Sequence, residues 1–103
     1  MQGEVDRDAA ARLLADEYAG RILSVTFDEP KSIQQISRLC DIPIAVAYRR
    51  VAAMEELGLI RCAREDESYR GKKVKLYACA VRFLQLAFQD GKMSTAYDPL
   101  PLG

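Results

Sequence analysis

The stretch from Ser32 to Gly58, SIQQISRLCDIPIAVAYRRVAAMEELG, constrains the fold of this chain more than any other. Ser32 and Gln35 have the spacing of a capping box, in which each side chain satisfies a backbone N–H at the start of a helix. Pro43 disfavours helical geometry at the residue before it and suits the first turn of a second helix. Gly58 is the residue type that best ends such a helix. The stretch therefore predicts two helices around a tight turn, a helix-turn-helix.

Each of the two predicted helices has an apolar face at helical spacing. In the first helix this face consists of Ile33, Ile36, Leu39 and Cys40. In the second helix, predicted over residues 44–57, it consists of Ala47, Val51 and Met54. The opposite side of the second helix carries Ala45, Arg49 and Ala52, with Tyr48 at the flank. A small, partly basic surface of this kind can enter the major groove of DNA.

After Gly58 the apolar period changes from that of a helix to that of a strand. Two short alternating runs, 59–64 and 72–77, flank a charged segment that ends in Gly71, and this pattern predicts a β-hairpin over residues 59–77. We expect Ile60 and Cys62 on its first strand to meet Val74 and Leu76 on its second. The basic side chains of the hairpin considered for a binding role are Arg64, Arg70, Lys72 and Lys73.

The segment before the helix-turn-helix, from Asp8 to Phe27, favours helix. Asp8 and Asp16 are both suitable N-caps, so the segment is either one long helix or a short helix that leads into a second one. Residues 1–7 and 98–103 are polar or proline-containing and are predicted to be flexible. The folded domain is therefore expected to cover residues 8–97.

The chain resembles the ArsR-like transcriptional regulators, particularly the small one-domain type common in archaea. The segments that carry the resemblance are EPKSIQQIS, CDIPIAVAYRRVAAMEELGLIR and GKKVKLY, within about residues 12–90. The resemblance implies an α+β winged helix-turn-helix with a three-helix core and a β-hairpin wing. It also implies a homodimer on operator DNA, with base contacts from the helix after the turn and phosphate or minor-groove contacts from the wing. Metal-sensing members carry paired cysteines where this chain has Pro30-Lys31-Ser32, so that sensor site is not expected.

The last third of the chain can be read in two ways. Residues 79–89 have apolar side chains at helical spacing, but Asp90-Gly91 is a two-residue hairpin signal followed by a β-favouring run. Because the resemblance also favours strands here, we predict a second hairpin that pairs 83–89 with 92–97. In that geometry one face carries Leu84, Leu86 and Phe88, and the other carries Val81, Phe83 and Ala87.

A two-stranded ribbon with two apolar faces is marginal in water unless both faces are covered. We expect the first helix to cover one face and a second protomer to cover the other, which would also present two recognition helices to two DNA half-sites. The residues predicted for the dimer interface are Phe83, Leu84, Leu86 and Phe88.

Charge is balanced over the whole chain but not along it. The totals are 15 basic and 15 acidic residues. Residues 31–82 contain 11 basic and 6 acidic side chains, a net charge of +5, whereas residues 1–30 contain 3 and 7, a net charge of −4. A local basic excess on the helix-turn-helix and the hairpin is what a nucleic-acid-binding surface requires.

Other functional classes lack support in the sequence. There is no histidine, no C-x-x-C pair, no glycine-rich phosphate loop and no serine or cysteine placed beside a base, so neither an enzyme, a metal site nor a cofactor is predicted. Cys40, Cys62 and Cys79 are expected to be buried structural thiols. The first residues lack the apolar core of a signal peptide and no run has membrane-spanning length, so a cytoplasmic protein is expected.

Double-stranded DNA is therefore the predicted partner, and no effector is indicated. Arg49 is the first choice for a base contact, whereas Arg50 either contacts DNA or pairs with a carboxylate such as Glu29. Lys31 and Ser32 stand at a helix start that suits a phosphate. The complete set of predicted DNA contacts is Lys31, Ser32, Ala45, Tyr48, Arg49, Arg50, Ala52, Arg64, Arg70, Lys72 and Lys73. The alternative is a winged helix that binds proteins rather than specific DNA.

Overall fold

The computed structural model describes residues 7–68 and 70–101. The predicted flexibility of residues 1–6 and 102–103 concerns positions outside these ranges. The described helices are α1 (Arg7–Ala15), α2 (Glu17–Asp28), α3 (Ile33–Cys40) and α4 (Ile44–Glu56). The strands are β1 (Ile60–Glu67), β2 (Lys73–Cys79), β3 (Val81–Gln89) and β4 (Lys92–Pro99), paired antiparallel as β1–β2 and β3–β4. This is the predicted α+β architecture, with α1 added in front of the three-helix core.

Asp16 decides how the first segment folds. The backbone N–H of Tyr18 donates to Asp16 Oδ1 at 2.9 Å, so Asp16 is the N-cap of α2 and interrupts the helical path. Of the two possibilities left open by the sequence, the structure has the short helix followed by a second one.

The helix-turn-helix forms through the expected local contacts. Gln35 N–H donates to Ser32 Oγ at 3.1 Å, and Ser32 N–H donates to Gln35 Oε1 at 2.9 Å, which completes the capping box. Asp41 adopts a left-handed conformation with a φ of 56° and ends α3. Gly58, with a φ of 78°, lies just beyond α4 and lets the chain turn directly into β1.

The core lies between α2, α3 and α4 and extends to the start of both hairpins. Its fully buried large side chains include Ile22, Ile36, Met54, Leu59 and Ile60. Leu39 was predicted to belong to the apolar face of α3, and this is wrong: its side chain is 53% exposed. Ile33, Ile36 and Cys40 are the buried residues of α3, and Leu39 is displaced by about 100° from Cys40 around the helix axis.

The first hairpin, β1–β2, has a different register from the predicted one. Ile60 pairs with Cys79 and Cys62 pairs with Tyr77, whereas Val74 and Leu76 lie opposite Asp66 and Arg64. The predicted pairing of Ile60 and Cys62 with Val74 and Leu76 is therefore wrong. The strands are longer and the tip is shorter than expected. A register shift between Cys62 and Arg64 also moves the side chains that follow it on β1 to the opposite face of the hairpin.

The second hairpin, β3–β4, confirms the choice of strands over helix, and β4 reaches Pro99, beyond the predicted end at Tyr97. A register shift between Val81 and Phe83 pairs Val81 with Pro99. Because Pro99 and Tyr97 share a face and Tyr97 pairs with Leu84, Val81 lies on the Leu84 face. The prediction that placed Val81 with Phe83 is therefore wrong, and Val81 instead joins the buried core.

Helix α1 lies against β3 and β4, as expected for the covering helix. Leu84 packs against the core, and Leu86 lines a cavity together with Asp8 and Ala11 of α1. The face with Leu84 and Leu86 is thus the one that α1 covers. Among the described residues, no helix combines the length and the apolar character that crossing a membrane requires.

Candidate nucleic-acid interface

The outer side of α4 presents five exposed residues in its first nine. We call this surface the reading face, and it consists of Ile44, Ala45, Tyr48, Arg49 and Ala52. The opposite side is anchored by Ala47, Val51 and Met54, all of which are buried as predicted. The side chain of Arg49 makes no hydrogen bond or ion pair within the part of the chain that the structure describes. Its guanidinium is therefore available to an external acceptor.

A groove of about 470 Å³ runs between the start of α3, the reading face and the first hairpin. We call it the α4–wing groove. Its lining residues are Ser32, Ile33, Gln34, Tyr48, Ser68, Lys72, Lys73, Val74, Lys75 and Tyr77. Four residues predicted independently from three elements, Ser32, Tyr48, Lys72 and Lys73, thus meet at one concave surface. Three lysines and a helix N-terminus give this surface a positive potential.

A backbone bridge keeps the start of α3 beside the hairpin. Lys31 N–H donates to Tyr77 O at 2.9 Å, and Tyr77 N–H donates to Lys31 O at 2.8 Å. The bridge places Ser32, the first residue of the capping box, directly beside β2. Burial raises the pKa of the Tyr77 hydroxyl, and the Glu55 carboxylate raises it further, so this group adds no negative charge to the groove at neutral pH.

The Lys31 side chain has a different environment from its backbone. Its ammonium donates to Val25 O at 3.1 Å and to Glu29 O at 3.3 Å, and it lies 3.3 Å from Glu29 Oε1. The side chain is only 13% exposed. A cation at the carbonyl end of α2 favourably meets the negative end of the helix dipole. The ammonium of Lys31 therefore caps α2 instead of facing the groove.

Arg50 and Arg49 are neighbours in sequence but lie on different sides of α4. Arg50 Nη1 lies 3.0 Å from Asp16 Oδ2, and the guanidinium is 6.0 Å from the centre of the Tyr18 ring. The pairing with a carboxylate that the sequence allowed therefore occurs, but its partner is Asp16, since Glu29 pairs with Lys31. The second oxygen of Asp16 caps α2, so one side chain connects the recognition helix to the α1–α2 junction.

The wing, β1–β2 with its tip, carries both signs of charge. Arg64 Nε lies 3.1 Å from Asp66 Oδ1, and the strand register places Glu65 opposite Lys75 and Glu67 opposite Lys73. Arg70 and Lys72 lie at the exposed tip. Of the predicted wing contacts, Lys72 and Lys73 line the α4–wing groove, while Arg64 is already paired.

Sequence reasoning missed three polar residues of the groove: Gln34, Ser68 and Lys75. Lys75 could have been found from its alternation with Lys73, since residues two apart on a strand share a face. Gln34 and Ser68 carry no comparable pattern. They reach the groove because the backbone bridge and the hairpin tip bring distant segments together.

The residues predicted for the dimer interface divide between two faces. Leu84 and Leu86 lie on the face that α1 covers. Phe83 is exposed on the opposite face, and Phe88 is 70% exposed at the far end of the hairpin, where it pairs with Met93. Phe88 and Met93 together form an exposed apolar pair.

The three cysteines are free thiols. Cys40 and Cys79 are buried, as predicted, and burial raises the pKa of both thiols, so they stay protonated at neutral pH. Cys62 is only half-buried. Across residues 7–68 and 70–101, no three cysteine, aspartate or glutamate side chains come close enough to hold a metal ion.

Comparisons with known proteins agree with this geometry. A family model described as a helix-turn-helix domain matches residues 14–63, which include α2, α3, α4 and the start of β1. A comparison with curated proteins gave no match. The structure is similar to a solution structure of a homodimeric winged helix-turn-helix DNA-binding domain from Mycobacterium bovis, described as a possible ArsR-family transcriptional regulator. That match has a TM-score of 0.53 and 16% sequence identity, and it covers 77% of this chain and 75% of the other.

The fold is therefore a winged helix-turn-helix, as the sequence predicted. Within it, α4 occupies the position of the recognition helix and β1–β2 that of the wing. The helix-turn-helix family model and the structural match agree with the winged helix-turn-helix fold that the resemblance implied.

Proposed function

We propose that this protein is a transcriptional regulator that binds specific double-stranded DNA as a homodimer. The observation that carries the proposal is the α4–wing groove, which joins three lysines and the N-terminus of α3 to the exposed reading face. A phosphate backbone that follows this groove would bring the adjacent major groove onto α4. Phosphate contacts fix the position of such a protein, and base contacts supply its specificity.

In this proposal the predicted contacts have different roles. Arg49 reads a base, Ala45 and Ala52 allow close approach of the helix, and Tyr48 with Ser32 donates to phosphates. Lys72 and Lys73 bind phosphates from the wing, and Arg70 extends that contact at the tip. Lys31, Arg50 and Arg64, whose cationic groups already have partners within the chain, support these elements without needing to touch DNA.

The proposed dimer contact is centred on Phe88 and Met93. This exposed apolar pair lies at the end of a hairpin on which α1 covers Leu84 and Leu86. An exposed aromatic side chain such as Phe88 favours burial against another surface. A second copy is the proposed cover, because the structurally similar Mycobacterium bovis domain is homodimeric. A two-fold dimer would place two recognition helices on half-sites about one helical turn apart.

Hydroxyl-radical footprinting on DNA selected from a random pool tests the proposal directly. We expect a protected, two-fold symmetric site whose half-sites are about 10 base pairs apart. A salt titration of the same complex should have a slope of about −0.9 per neutralised phosphate. Absence of any selected sequence, with weak binding at all salt concentrations, would support the alternative of a protein-interaction module.

Substitution of the two neighbouring arginines tests the assignment of roles. Arg49→Ala should cost about 1–3 kcal/mol of specific binding and little on random DNA, as expected for a base contact. Arg50→Ala is the matched control, because it removes the same side chain from the same helix but from the side that faces Asp16. Equal losses on specific and random DNA for Arg49→Ala would assign that residue to the phosphate backbone.

A further inference from the structure

The reading face has an unusual chemical composition for a surface that must distinguish bases. Ile44 is 43% exposed in the first turn of α4, and Ala45 and Ala52 are exposed beside it. Tyr48 turns toward the α4–wing groove, which it lines with Ser32. Arg49 is then the one exposed charged side chain in residues 44–52, all of which the structure describes. Most of the reading face therefore cannot form hydrogen bonds with base edges.

The second half of α4 does not supply the missing polar groups. Its exposed charged residues are Glu55 and Glu56, which repel phosphates on either side of a DNA groove. Helix α4 contains no asparagine, glutamine, serine, threonine or lysine. The N-terminal half must therefore face the bases, and it must distinguish them mostly through apolar contact.

Only one base offers an apolar group in the major groove. Thymine carries a 5-methyl group, whereas the other three bases present hydrogen-bond donors and acceptors. Arg49, for its part, is suited to guanine, whose O6 and N7 accept a bidentate contact. We infer that the half-site is read mainly through thymine methyl groups, contacted by Ile44 and Ala45, with one guanine read by Arg49. This inference rests on the proposed DNA-binding function.

Helix geometry fixes the spacing of these contacts. With a rise of 1.5 Å per residue, Arg49 lies roughly 6 Å from Ala45 along the axis of α4, and Ala52 lies roughly 10 Å from Ala45. These distances correspond to about two and three base-pair steps of 3.4 Å. A half-site with thymines on one side of a guanine, at about two steps from it, is the expected arrangement.

The test uses chemically altered DNA and unaltered protein. In the half-site obtained by selection, each thymine is replaced in turn by deoxyuridine, which removes the methyl group and keeps every hydrogen-bonding atom. We expect about fourfold weaker binding at each contacted thymine, the equivalent of the ~0.8 kcal/mol for one buried carbon. Replacement of the guanine by 7-deazaguanine, which removes the N7 acceptor, should weaken binding by tenfold or more.

Two variants connect each effect to its residue. Ile44→Ala should abolish the loss at the thymine that Ile44 contacts, and Arg49→Ala should abolish the loss caused by 7-deazaguanine. Specific binding that is unchanged by deoxyuridine at every thymine would overturn the inference while leaving the proposed function intact. Failure to select any sequence would instead reject the proposed function, so the two failures are distinguishable.

Discussion

The two hairpins of this protein have the same backbone plan, but the surface of one is charged and that of the other is apolar. Both are antiparallel, both have a register shift near the base of the first strand, and both turn through a glycine with positive φ. In the outer part of the wing, Glu67 lies opposite Lys73. At the same level of the second hairpin, Phe88 lies opposite Met93. The side chains, and not the strand pairing, therefore distinguish the two.

The difference explains where each hairpin lies. Charged cross-strand pairs are solvated and protect an exposed strand from mispairing, so the wing needs no cover and can extend toward a polyanion. The second hairpin has apolar side chains, and α1 covers Leu84 and Leu86. Its end, with Phe88, is exposed, and so is Phe83 on the opposite face. One hairpin is suited to a charged partner and the other to an apolar one.

The largest expected effect comes from placing a charge on the apolar hairpin. Phe88→Glu should prevent dimerisation and reduce affinity for a site with two half-sites by about 100-fold or more, because the second half-site contact is lost. Sedimentation equilibrium should then give the monomer mass of 11.5 kDa. Phe83→Glu, which places the same charge on the opposite face, is the control. A dimeric Phe88→Glu variant would refute the proposed interface.

A smaller effect is expected when charge is removed from the wing. Lys72→Gln combined with Lys73→Gln should flatten the salt slope by about two units per protomer, because two phosphates are no longer neutralised. At 0.15 M salt this corresponds to about 30-fold weaker binding for each protomer bound, on specific and random DNA alike. Fluorescence anisotropy over a salt series measures both quantities. An unchanged slope would mean that these lysines do not contact phosphates.

The two turns offer a matched pair of glycine substitutions. Gly71 has a φ of 76° and Gly91 a φ of 77°, and an added methyl group meets no atom within 4 Å at either position. Gly91→Ala should lower the free energy of unfolding by about 1 kcal/mol, because alanine is strained at positive φ. Gly71→Ala should have less than half this effect, since the solvated wing tip can relax locally. Urea unfolding measures both changes in the free energy of unfolding. Equal losses would mean that the tip of the wing cannot relax more easily than the turn of the second hairpin.

The smallest expected effect concerns the acidic residues of the wing. Glu65→Gln combined with Glu67→Gln should strengthen binding to all DNA sequences by about threefold at moderate salt, because two charges that repel phosphates are removed. As the control, Gln85→Glu on the exposed face of the second hairpin tests whether a charge remote from the wing changes the affinity for DNA. Weaker binding by the double variant would show that Glu65 and Glu67 chiefly orient the lysines.

Local features could be predicted well, since their physical cause lies within a few residues. The capping box at Ser32, the end of α4 at Gly58 and the Asp90-Gly91 turn were all predicted and are present. Each depends on hydrogen bonds or a φ angle that neighbouring residues determine. Four of the predicted contacts also meet in the α4–wing groove, because the order of elements in the fold brings their segments together.

What the sequence determined by itself was the helix-turn-helix, the two hairpins and the residue types on their surfaces. The tertiary structure alone decided the register of both hairpins, since a single extra residue in a strand exchanges its faces. It also decided which cationic side chains have partners inside the protein: Arg50 pairs with Asp16 and Lys31 caps α2. Arg49, in contrast, is available to an external acceptor. The pairing of Arg50 with Asp16 joins residues 34 positions apart in the chain, and no local pattern encodes a contact that forms only when distant elements pack.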